Sequence, residues 1–241
     1  STLEDPGVVT LPTVSNCPTV TYQIRLRVKD QCCGWSIPVY TTVTVEPPLA
    51  NNTISTDQSF CSSGNPAQLN GSLPTGGNCV YAYQWQQNAN GAGFANISGA
   101  NGQNYDPPLL SVAGVYQYQR IVTSGVCSTS PSTSNVVTVT INTPPTVTIE
   151  PSPVIVCPGQ TTDILGNATA GSGSISSYAW TGSGATYLSP TNAPSTTFNA
   201  TSLTTANGPY NVTITATDVN GCSTATNTTV TIQPLPVVTN P

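Results

Sequence analysis

Short runs of alternating apolar and polar residues recur along almost the whole chain. Tyr22-Gln-Ile-Arg-Leu-Arg-Val-Lys29 places Tyr22, Ile24, Leu26 and Val28 on one face and Arg25, Arg27 and Lys29 on the other. That period of two is the pattern of a strand. Residues 116–122 and 210–216 occupy the matching place in two later stretches. Each run leads through a turn cluster (30–34, 124–125, 218–221) into a Thr/Val-rich strand, at 41–45, 136–141 and 228–232. These pairs are predicted hairpins. No segment sustains a helical period, so the expected class is all-β.

The hairpins belong to a longer repeat. Cys61, Trp85 and Cys127 recur as Cys157, Trp180 and Cys222, and each tryptophan precedes its second cysteine by 42 residues (127 − 85 and 222 − 180). A repeat of this length is too long for a solenoid unit and suits an independently folding module. Prolines punctuate the copies at Pro47-Pro48, Pro144-Pro145 and Pro234-Leu-Pro236. The expected organisation is the C-terminal part of an incomplete module over 1–48, full modules over 49–143 and 144–236, and a linker at 237–241. Each full module is expected to hold about seven short strands in two packed sheets. Trp85, Trp180, Tyr116 and Tyr210 are the expected core aromatics; stacking on a glycan is the other use such rings have. Proline-containing junctions are stiff, which predicts a rod.

Composition narrows the function. Charged residues are 5% of the chain, and Ser and Thr make up about a quarter, so hydroxyls and amides wet the surface. Four basic residues and a net charge of −5 leave no cationic surface for nucleic acid. No apolar run reaches membrane-spanning length, so no membrane insertion is expected. The chain lacks an initiator Met and a leader, and with its half module this suggests a processed chain or an excerpt.

Catalytic chemistry finds little material. Without histidine there is no Ser-His-Asp or Cys-His arrangement. The nine carboxylates are scattered, and no pair suggests glycoside hydrolysis. Asp30 and Asp218 precede the hairpin cysteines, where Asp serves turn geometry. Glu46 and Glu150 lie at module ends, but one carboxylate per junction is too few for calcium. No metal, cofactor or enzymatic activity is expected. Arg25, Arg27 and Lys29 form either a solvated edge or a docking stripe for an acidic polymer or a neighbouring subunit. Asn51, Asn70, Asn96, Asn167, Asn199, Asn211 and Asn227 each begin an N-x-S/T triplet and are candidate glycan acceptors.

Several motifs together carry a family resemblance. They are Cys157-Pro-Gly-Gln before a β run, Tyr178-Ala-Trp180, Gly208-Pro-Tyr-Asn-Val-Thr-Ile214, Asp218-Val-Asn-Gly-Cys222 and a closing Val230-Thr-Ile232. The chain resembles the tandem PKD-like and bacterial Ig-like modules of large Bacteroidota surface proteins. The third module matches well, the second with more drift, and residues 1–48 only in their final hairpin. The resemblance implies β-sandwich modules of a secreted, cell-surface adhesin or fibre, or the stalk of a secreted enzyme. Implied partners are neighbouring modules, copies of the same protein, or surface polysaccharide.

Eight cysteines without metal-type spacing suggest disulfides: Cys17, Cys32, Cys33, Cys61, Cys79, Cys127, Cys157 and Cys222. Pairing within modules would join Cys61 to Cys127 and Cys157 to Cys222. In an Ig-like topology, however, the two cysteines of a module sit at opposite ends of strands spanning roughly 26 Å, whereas bonded Cα atoms lie within roughly 7 Å. Pairing between successive modules, Cys61 with Cys222 and Cys17 with Cys79, satisfies that limit. Cys157 would then bind forward, and Cys127 with one of Cys32/Cys33 would need partners outside these modules.

Overall fold

The computed structural model describes residues 10–11, 19–125 and 131–234. The linker at 237–241, Cys17 and Cys127 lie outside the described residues. The described residues are all-β: apart from a single 3₁₀ turn at Ala185–Tyr187 they contain no helix. The protein is built of tandem β-sandwich modules. By contact it divides into two compact units. One takes residues up to Gln58, Asn65–Pro108 and Val115–Val139; the other takes Ser59–Gly64, Leu109–Gly114 and residues from Thr140 onward. This division differs from one drawn at the proline pair 144–145, because two loops of the expected second module count with the later unit.

In the first unit, the predicted hairpin of the partial module pairs Val20–Leu26 with Val39–Val45. The predicted strand ends earlier than its alternation, at Leu26, and the chain continues into a two-residue ladder, Lys29–Asp30 with Gly34–Trp35. Tyr81–Ala89 and Gly114–Ser124 pair antiparallel. They are central to a sheet ordered Gln58–Cys61, Val137–Asn142, Gly114–Ser124, Tyr81–Ala89, Ala95–Asn96. The expected second sheet of this module is not a continuous ladder. Isolated bridges replace it, Ala50 with Thr75, Ile54 with Gly71 and Leu69 with Tyr105, in a stretch broken by Pro66, Pro74 and Pro107-Pro108 that cannot donate to a ladder.

Alternation explains what Gly114–Ser124 buries. Tyr118, Arg120, Val122 and Ser124 point inward in phase, and Trp85 faces them from the paired strand, fully buried. The Trp85, Tyr105 and Tyr118 rings follow one another at 5.7 and 6.0 Å. Tyr116, expected in the core, is only half-buried. It lies opposite Ala89 at the end of the ladder, and Tyr118 takes the enclosed place. Tyr118 Oη accepts from Gln87 Nε2 at 2.8 Å, yet burial dominates and pushes its pKa up to about 12.

Arg120 is the unexpected member of this core. It is 0% exposed. Its Nε and Nη2 donate to Asn52 Oδ1 at 3.0 and 2.8 Å, Nη1 to the Gln103 carbonyl at 2.8 Å, and Nη2 to the Ser72 carbonyl at 2.9 Å. Its guanidinium lies 5.1 Å from the Tyr83 ring centroid, a cation–π distance. Burial lowers its pKa, and Tyr83 opposes that shift. Gly71 makes room, since a Cβ there would overlap Nη1.

The second unit is a two-sheet sandwich. One sheet runs Thr146–Glu150, Thr161–Thr169, Ser195–Asn199, Leu188–Ser189. The other runs Val154–Val156, Ser223–Ile232, Tyr210–Asp218, Ile175–Thr181, with Val154–Val156 parallel to its neighbour. The inward positions of both sheets supply one core that includes Ile164, Trp180, Phe198, Val212, Ile214 and Val230. Tyr210 packs partly buried against it. Burying alternate positions this way is the main stabilising term in a domain so poor in charge.

Two predictions test this core. Arg120→Ala strands the Asn52, Gln103 and Ser72 acceptors, each worth roughly 1–3 kcal/mol when buried and unpaired; urea unfolding is expected to show a loss of about 3 kcal/mol or more. Tyr118 has a folded pKa above its ordinary value, so its contribution to stability is complete below pH 10.0 and is lost as pH rises toward about 12. Tyrosinate absorbance during an alkaline titration should show this hydroxyl ionising late, and Tyr118→Phe should remove that step.

Candidate functional site

The structure offers no catalytic constellation among the described residues, and no group of three or more His, Cys, Asp or Glu is placed to hold a metal. What the described residues do assemble is a covalent joint and an uncovered hairpin.

Cys61 and Cys222 form a disulfide with Cα atoms 5.6 Å apart across 161 residues of sequence. Of the two pairings open to Cys61 in the sequence, the structure therefore shows the one with Cys222. Cys61 ends the short strand Gln58–Cys61. Buried Asn142 holds that loop: its Nδ2 donates to Ser59 Oγ at 2.8 Å, and its carbonyl accepts from Ser62 N at 2.8 Å. Gly64 and Leu110 exchange two backbone bonds of 2.9 Å beside it.

Cys222 stands in the hairpin between Tyr210–Asp218 and Ser223–Ile232. Asp218 shapes that turn. Its Oδ1 accepts from the backbone N–H groups of Asn220 and Cys222, at 2.9 and 2.8 Å. Gly221, at φ +81°, supplies the left-handed residue of the turn. Asp218 is 2% exposed, and its Oδ2 is buried without a hydrogen-bond partner. The carboxylate thus serves the turn, presenting a buried cysteine to an exposed one.

Of the other candidate cysteines, Cys79 is also in a disulfide. Cys33, exposed, and Cys157, half-buried, carry free thiols. Cys32 lies beside Cys33 in the small hairpin, exposed.

The tryptophans of the repeat are buried and tied down. Trp85 Nε1 donates to the Gly102 carbonyl at 3.0 Å and Trp180 Nε1 to the Ala193 carbonyl at 2.9 Å. Neither ring can serve as a sugar platform. The third tryptophan, Trp35, is exposed, and Arg27 and Lys29 lie over its ring at 5.4 and 5.8 Å. Arg25 pairs across the hairpin with Tyr40. All seven asparagines of the N-x-S/T triplets are exposed. Asn199 Oδ1 accepts from both the backbone N–H and the hydroxyl of Thr201, and Asn51 Nδ2 donates to the Leu73 carbonyl. Glu46 borders a depression of about 280 Å³ with Pro47, Leu49, Gly77 and Ser124. Its Oε2 is buried without a hydrogen-bond partner, a lone carboxylate too few for a calcium cage.

Sequence reasoning passed over Arg120 and Asn142. The signal for Arg120 was present, since it lies in phase with Tyr118 and Val122 rather than with the polar face. Asn142 had none, because its partners lie eighty or more residues away.

Family models match two parts of the chain. Residues 50–143 match a domain of unknown function, DUF8696, and residues 151–232 match the K319L-like PKD domain. Among solved structures, the four N-terminal Ig domains of Dscam1 are 11% identical, with 87% of this chain and 54% of that one covered and a TM-score of 0.37. Sidekick-1 immunoglobulin domains 1–5 are 14% identical, with coverage of 87% and 46% and a TM-score of 0.45. The fibronectin(III)-like modules of Clostridium thermocellum CbhA are 14% identical, with coverage of 76% and 94% and a TM-score of 0.34. The chain spans about half the length of the Dscam1 and Sidekick-1 chains. No curated protein matches it.

Removing the Asp218 carboxylate tests the turn. Asp218→Ala leaves two backbone N–H groups without acceptors and is expected to cost about 1–3 kcal/mol. Asp218→Asn, which keeps Oδ1, should cost less in the same thermal unfolding experiment.

Proposed function

We propose that this chain is a non-catalytic structural segment of an extracellular fibre or adhesin, built from disulfide-stabilised β-sandwich modules. The observation that carries this reading is the Cys61–Cys222 bond, which ties residues of two successive sequence repeats. Such a bond preserves the connection between repeats when either is pulled, because the chain between its ends cannot extend. It also requires an oxidising compartment, which supports an extracellular location. The low charge and hydroxyl-rich surface suit a spacer. The chemistry-bearing groups are committed elsewhere: Arg120 to a core, Asp218 to a turn, Trp85 and Trp180 to packing. The exposed triplet asparagines would carry surface glycan if the producing cell modifies asparagine.

A carbohydrate-binding stalk is a second reading, and only the hairpin favours it, through exposed Trp35 and Tyr40. Glycan-array binding lost on Trp35→Ala would establish it.

Negative-stain microscopy of the native material, with and without reductant, tests the fibre reading. Long thin assemblies are expected, and isolated short particles would overturn it. Within one chain, Cys61→Ser is expected to lower the stability of the later unit by about 2–5 kcal/mol, read by guanidinium unfolding. An unchanged midpoint would show that the joint bears no load.

A further inference from the structure

Cys61–Cys222 joins two positions that the repeat supplies more than once. Cys61 ends a short strand beside the last strand of its module, Val137–Asn142. Cys157 directly follows Val154–Val156, which lies beside the last strand of its own module, Ser223–Ile232. The two cysteines therefore hold equivalent places. Cys222 stands in the hairpin between the last two strands of its module. Cys33 stands in the corresponding hairpin, between Val20–Leu26 and Val39–Val45. Cys222 is used by Cys61; Cys157 and Cys33 carry free thiols. The chain thus presents one unused half of the same joint at Cys157 and the complementary half at Cys33.

Charge points the same way. Three of the four basic residues, Arg25, Arg27 and Lys29, lie within eight residues of Cys33, and the fourth is the buried Arg120. In sequence, the charges on either side of Cys157, Glu150 and Asp163, are acidic and exposed. Glu150 pairs directly with Leu165, and Asp163 lies two residues from Leu165 on the same face. Leu165 itself is 42% exposed between them. The opposite face of the hairpin is apolar and open: Ile24, Leu26 and Val39 are 37, 58 and 68% exposed, with Tyr22 and Val43 paired on the same side.

We propose that a second copy of this chain meets this hairpin: the basic face of the hairpin in one copy docks on the acidic Glu150–Leu165 surface of the next, and Cys33 of the first bonds to Cys157 of the second. This deepens the fibre reading, on which it rests, by naming the joint between subunits. The contact is head-to-tail, so each copy leaves one end open and addition continues. Opposite charges bring the ends together, and the disulfide holds them. The bond forms by exchange with a small-molecule disulfide such as oxidised glutathione. One cysteine thiolate attacks it and releases a first glutathione thiolate. The second cysteine thiolate then displaces the other glutathione from the mixed disulfide. Two protein thiols are oxidised, and one small disulfide is reduced to two thiols.

The test is incubation of the purified chain in a glutathione redox buffer, followed by non-reducing electrophoresis and peptide mapping. A ladder of covalent multimers that collapses on reduction and yields a Cys33–Cys157 peptide is expected. Cys33→Ser and Cys157→Ser should each abolish the ladder, while an equimolar mixture of the two should give dimers and nothing longer. Glu150→Lys with Asp163→Lys, both exposed sites outside the core, should slow the ladder several-fold at low salt, with the difference shrinking at high salt. Monomers with both thiols alkylated, a ladder joined through other cysteines, or a ladder that survives Cys33→Ser would overturn the proposal. Native filaments that lack the Cys33–Cys157 peptide would overturn this joint and leave the fibre reading standing. Native material without filaments would remove both.

Discussion

The covalent tie between Cys61 and Cys222 is the constraint around which the later unit is arranged. It closes a span of 161 residues, so the residues around Cys61 remain with the sandwich of the following repeat. The tie depends on two turns being presented correctly. Asn142 and the Gly64–Leu110 exchange hold one, and Asp218 shapes the other. Among the described residues, neutral hydrogen bonds and a single buried carboxylate hold the two turns.

That economy of charge runs through the molecule. A chain with four basic side chains uses one of them inside a core, where Asn52, Gln103 and Ser72 supply oxygen atoms to the guanidinium. Among the described residues, no carboxylate pairs with it there. The cation is satisfied by dipoles and by the faces of Tyr83 and Trp85. Buried polar networks of this kind are costly when half-made and specific when complete. This one fixes where the loops at Asn52, Ser72 and Gln103 sit against the sheet. It therefore stands in for the regular second sheet, which proline-broken bridges do not supply.

The same scarcity makes the surface informative. On a surface rich in hydroxyls and amides, a cluster of three cations or an open apolar face stands out. The hairpin of Val20–Leu26 and Val39–Val45 has both. The second unit, by contrast, encloses its apolar residues between two sheets and shows the solvent mainly Thr, Ser and Asn. Repetition gives the difference meaning. Equivalent positions in successive modules are satisfied in one place and open in another.

Much of this was legible in the residues. Alternation located the hairpin strands, because a strand with one face in a core must alternate. The aromatic positions of the repeat mark core candidates by pattern alone; Trp85 and Trp180 are buried and fixed through their indole nitrogens. Strand length against disulfide reach left pairing between modules as the alternative to pairing within them. Other features were out of reach. Tyr116 and Tyr118 share a face, and only the end of the ladder at Ala89 decides which is enclosed. Arg120 is in phase with the core, but a buried cation is plausible only once three acceptors converge on it from distant loops. Local pattern determined the strands, the turns and the repeat, because these depend on neighbours in the chain. The partner of Cys61, the burial of Arg120 and the exposure of the first hairpin were decided by tertiary structure alone, because each depends on which remote segment arrives beside it.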